Sequence, residues 1–150
     1  MKGPIWFLGL LFTIMMPAMA GADGLPVGSY EGTGSWRAMD GSTGEYKSRD
    51  VFEGEQITIE AKYDQGGTLR TEKHTMKLAR KGAGFFELFS GKGESIGQLA
   101  CLEGECTYGV KQDGLVVAES WRLDGGALQK FGSKKIGDFQ VVWKETLYSN

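Results

Sequence analysis

The sequence predicts an all-β protein, an antiparallel up-and-down barrel of about ten strands. Three observations carry this. Apolar and polar side chains alternate with a period of two, Gly and Asp punctuate the chain at short intervals, and no long segment carries a helical stripe. Gly accounts for 24 of the 150 residues against 3 Pro, with no Gly-X-Y period, so collagen is excluded. The length fits one domain, and 41% hydrophobic residues suffice to fill a core.

The elements follow in chain order. The first strand is expected over 28–38, where Tyr30, Gly32, Gly34 and Trp36 alternate with Glu31, Thr33 and Ser35; Asp40-Gly41 turns it back. A second strand, 44–53, ends at Glu53-Gly54. The third, 55–64, sets Ile57, Ile59, Ala61 and Tyr63 against Thr58, Glu60 and Lys62, and stops at Gly66-Gly67. Next comes 68–80, with His74 in phase with Met76 and Leu78. The strand at 84–90 holds Phe85-Phe86-Glu87-Leu88-Phe89, apolar on both faces. Strands at 95–101 and 105–112 flank a tight turn, and 115–123 places Leu115, Val117, Glu119, Trp121 and Leu123 in one phase. The last two, 127–135 and 138–148, join at Gly137-Asp138, and Phe139, Val141, Trp143, Glu145 and Leu147 share a face. Short connections favour hairpins between sequential strands over a sandwich, and closing the meander removes its edges. The only room for a short helix is 21–27 or the chain ends.

Charge and composition narrow the function. With 17 Lys and Arg against 19 Asp and Glu, binding to nucleic acid through charge is not expected. One His and two nearby Cys are too few for an ordinary zinc site, and no cofactor is implied. Residues 1–20 read as a cleavable secretory signal: Lys2 is followed by an apolar run over 5–16 and by Ala18-Met19-Ala20, a small-x-small cleavage pattern. The run is short of the ~20 residues a membrane span requires, so no integral segment is expected after cleavage. The predicted product is one exported domain, 21–150, periplasmic or secreted. In an oxidising compartment Cys101 and Cys106, with four residues between them across a turn, are expected to form one short disulfide.

Gly34-Ser35-Trp36 on the first strand of a ten-strand meander resembles the Gly-x-Trp signature of calycin barrels, which include lipocalins. The resemblance implies a barrel whose Trp closes the floor against a late basic side chain, for which Arg122 or Lys144 could serve. It also implies either binding of a small apolar ligand or, as in secreted calycin-like metalloprotease inhibitors, a protein partner engaged by an N-terminal tail, here 21–27. Two departures stand out: there is no second Thr-Asp-Tyr motif, and no long helix before the last strand. Heme-binding nitrobindin-like barrels open in a similar way but use a C-terminal His as iron ligand, and no His lies near the end of this chain.

Candidate site residues come from the in-phase positions. Trp121, Trp143, Tyr108 and Phe89 are the expected cavity liners, with Glu119 or His74 as the polar contact. His74 reads either as an inward acid-base group or as a surface residue on a polar strand. Glu119 and Glu145 share phase with apolar neighbours, and an inward carboxylate needs a partner. They either lie at strand ends, or face solvent after a local bulge, or form an inward pair able to act as acid and base, as in glycosidases. A small barrel enzyme using His74, Glu119 and Glu145 is therefore a third reading beside ligand and protein binding. Lys130, Lys134 and Lys135 crowd a short segment that is expected to be a solvated hairpin.

Overall fold

The computed structural model describes Gly21 and residues 23–150; the expected leader lies outside the described residues. Ten strands form one closed antiparallel barrel: β1 (Gly28–Ala38), β2 (Thr43–Glu53), β3 (Gln56–Gln65), β4 (Thr68–Gly82), β5 (Phe85–Phe89), β6 (Ser95–Leu102), β7 (Glu105–Gln112), β8 (Leu115–Asp124), β9 (Ala127–Ile136) and β10 (Phe139–Ser149). Every strand pairs with its sequence neighbours, and β1 pairs with β10 from Tyr30↔Ser149 to Ala38↔Val141, which closes the ring. No helix long and apolar enough to cross a membrane occurs among the described residues.

The hairpins take the tight form that right-handed strand twist favours. At Glu103-Gly104 and Asp113-Gly114 both central residues have positive φ, 48° and 84° in the first and 51° and 79° in the second. The first of these turns carries the disulfide. Cys101 and Cys106 face each other in the β6–β7 register with Cα atoms 4.1 Å apart, and they are joined as the sequence predicts.

The two ends of the barrel differ. One half is packed by Tyr30, Phe52, Ile57, Leu78, Leu88, Leu99, Trp121, Leu128 and Leu147, all buried. Edge-on aromatic contacts bind this half together: Tyr30 meets Phe52 at 5.9 Å between ring centroids, and Phe52 meets Trp121 at 5.3 Å. The segment before β1 seals the same end without forming a helix. Leu25 packs on the core, Gly21 N donates to Leu25 O at 2.7 Å, and Arg80 of β4 holds Asp23 at 2.6 Å. Those contacts fix the residues expected to form an inhibitory tail against the barrel. The other half is hollow.

Candidate functional site

Above the packed half lies a cavity of about 890 Å³ that opens at the end bearing the β1–β2, β5–β6, β7–β8 and β9–β10 turns. It falls within the range usual for small-molecule sites. Period-two alternation supplies its wall: Ile59 and Ala61 from β3, Met76 from β4, Ile96 from β6, Val110 from β7, Val117 from β8 and Val141 from β10. Trp36 and Trp143 add aromatic faces. Each of these two rings lies where a neighbouring strand has no side chain. A Cβ on Gly44 would stand 2.6 Å from Trp36 Nε1, and one on Gly132 would overlap the six-membered ring of Trp143. Likewise a Cβ on Gly34 would occupy the place of the Tyr46 ring. These in-strand glycines make room for the aromatic rings of the site.

The floor is a buried ionic layer. Lys130 of β9 has a wholly buried side chain, and its Nζ reaches Asp50 Oδ2 at 2.7 Å, Glu145 Oε2 at 2.9 Å and Glu119 Oε1 at 3.2 Å. Donors from the surrounding rings reach the oxygens of Glu119 and Glu145. Trp121 Nε1 donates to Glu119 Oε1 at 2.5 Å, Trp143 Nε1 to Glu119 Oε2 at 2.6 Å, and Tyr46 Oη to Glu145 Oε1 at 2.7 Å. One ammonium thus answers three carboxylates. Burial pushes Asp50 up to about 6, because taking its charge out of water outweighs the attraction of Lys130. Asp50 Oδ1 has no hydrogen-bond partner in the protein, which also favours its protonated form. The carboxylates hold Lys130 well above the usual ammonium range despite its burial. Tyr46 and Tyr108 are raised by burial and by the adjoining carboxylates, so both phenols stay protonated.

Four of the six expected contact residues meet this cavity. Trp143, Tyr108 and Glu119 lie at its floor, and His74 stands at its mouth with a side chain 68% exposed, 3.9 Å from Glu72. Trp121 sits one layer lower, in the packed half, and supports the site through Glu119 and through the ring of Tyr108, 5.2 Å away between centroids. Phe89 does not line the cavity. Leu88 points into the core, so Phe89, the next residue of the strand, faces away from it beside its register partners Lys77 and Ser95. Glu119 and Glu145 face inward, and the solvent-facing reading of them is corrected. Lys130 stands between them, and their side chains are only 2% and 4% exposed, which leaves no space for a glycosidic oxygen.

Two further expectations are corrected. Lys130 is not on a solvated hairpin; it is in phase with Leu128 and Gly132, the inward positions of β9, and that phase was its signal. Trp36 does not close the floor, because β1 starts at the packed end and Trp36 lies near its far end, in the cavity wall. Arg122 and Lys144 are both exposed, Arg122 beside Glu105 at 3.6 Å. Asp50, in phase with Phe52, was missed altogether.

These features define a class: a closed ten-strand barrel with one packed end, one open end and an apolar-walled cavity over a buried ionic layer. No family model matches the chain, and no curated protein matches it. Among solved structures it is similar to Rv2717c from M. tuberculosis, at a TM-score of 0.51 and 15% identity, covering 83% of this chain and 92% of that one. At that identity the likeness is one of fold.

Proposed function

We propose that this chain is an exported, lipocalin-like barrel that binds a small, largely apolar ligand and performs no chemistry on it. The observation that carries the proposal is the hollow half, with about 890 Å³ behind an open mouth and walls of Ile, Val, Met and Trp. A core meant only for stability would fill this space, since protein interiors pack to crystal density. The ionic layer supports binding over catalysis. Glu119 and Glu145 are occupied by Lys130 and by the ring donors and hold Trp143 and Tyr46 in place, and Asp50, whose Oδ1 has no partner, is wholly buried and does not line the cavity. Export rests on the leader pattern at 1–20 and on the single disulfide.

Tryptophan fluorescence tests the reading, because Trp36 and Trp143 both face the cavity. Titration with medium-chain apolar and amphipathic compounds should quench or shift the emission saturably. Silence across a broad apolar panel would overturn the proposal.

A further inference from the structure

The cavity has a polarity of charge along its axis. At the floor the ionic layer is sealed: the Lys130 side chain is 0% exposed and those of Glu119 and Glu145 are nearly so. A ligand reaching the floor meets the rings of Trp143, Tyr108 and Tyr46 beside Glu119, Lys130 and Glu145, whose charges already answer one another. Near the mouth the situation reverses. Lys134 lies on the inward phase of β9, two residues beyond Gly132, between its register partners Val117 and Val141. It is half-buried, lines the cavity, and takes part in no ion pair among the described residues. Lys73, Lys92 and Glu72 stand nearer the rim, where the turns also carry Asp40, Asp64, Glu94, Asp113 and Asp138, while Lys134 lies inside the wall below them. A half-buried ammonium in an apolar wall, with no carboxylate to answer it, is a place for an anion.

Building on the ligand-binding reading above, we infer that the ligand is a single-chain amphiphile with an anionic head. It binds tail-first, with the tail against the floor rings and the head at Lys134. Lys134 answers the head, and the apolar belt below it takes the chain.

Three probes of equal length separate the possibilities: dodecanoate, dodecylamine and dodecanol, titrated below their aggregation limits against purified protein by tryptophan fluorescence and calorimetry. Dodecanoate should bind most tightly. Lys134→Glu should weaken dodecanoate by about tenfold or more and leave dodecanol within about twofold, and Lys134→Gln should fall between. Retained dodecanol binding shows that the variants are folded. Preferential binding of dodecylamine, or dodecanoate binding unchanged in Lys134→Glu and Lys134→Gln, would overturn the inference and leave the ligand-binding reading standing. Failure of all three probes to bind would overturn both.

Discussion

Replacing Lys130 with Met is the sharpest perturbation of the ionic layer. The Met chain occupies the space of the lysine stem but removes the one cation within 3.2 Å of Asp50, Glu119 and Glu145. Three buried carboxylates then face one another, and at least one more must take up a proton for the barrel to stay closed. Keeping a carboxylate protonated costs about 1.4 kcal/mol per pH unit above its ordinary value near 4, so the loss is roughly 4 kcal/mol at pH 7 and about 1.4 kcal/mol at pH 5. The first figure agrees with the ~3–5 kcal/mol typical of breaking a buried ion pair from one side. The sign follows from the direction of the shift. A carboxylate raised in the folded state makes that state bind more protons than the unfolded chain, so the variant loses stability as pH rises. Urea unfolding followed by tryptophan fluorescence at pH 5 and pH 7 measures both numbers. A loss below ~1 kcal/mol at pH 7, or the same loss at both pH values, would refute the reasoning.

Other consequences follow from the same geometry. In the unaltered protein Asp50, at about 6 when folded against 3.8 as the reference, should make stability fall between pH 4 and pH 6 by up to roughly 3 kcal/mol; Asp50→Asn should flatten that slope in urea titrations across the window. Gly132→Ala places a methyl group in the Trp143 ring and should cost ~1–3 kcal/mol, with loss of near-ultraviolet circular dichroism from the displaced indole; an unchanged spectrum would contradict the packing. Replacing Cys101 and Cys106 together by Ser opens a short loop and should lower stability by about 2 kcal/mol, read from thermal unfolding, with the barrel retained.

The barrel was legible because its physics is local. Alternation in segments such as 57–63 and 139–147, with Gly and Asp at the turns, specifies strands and hairpins without long-range information, and the observed bounds differ from the expected ones by a residue or two. The site was less legible because it depends on phase and register between strands. Lys130 sits among other lysines, and composition reads such a segment as a surface, yet the phase set by Leu128 turns it inward. Phe89 was misassigned because Phe85–Phe89 is apolar on both faces and so shows no phase; Leu88 takes the inward position and Phe89, the next residue, the outward one. The glycines at 34, 44 and 132 could be read from the chain only as points of coiling. Their partners, Tyr46, Trp36 and Trp143, lie on neighbouring strands or across a turn, and only the register brings each ring over its glycine.

Ligand binding requires the open half of the barrel to be a true cavity. The most direct measurement is a crystal structure of the protein with 12-bromododecanoate, using the anomalous signal of bromine to locate the chain end. A bromine peak inside the barrel, deep between Val110, Val117 and Trp143, is the predicted result. Peaks confined to the outer surface, or side chains folded in to fill the space, would contradict it.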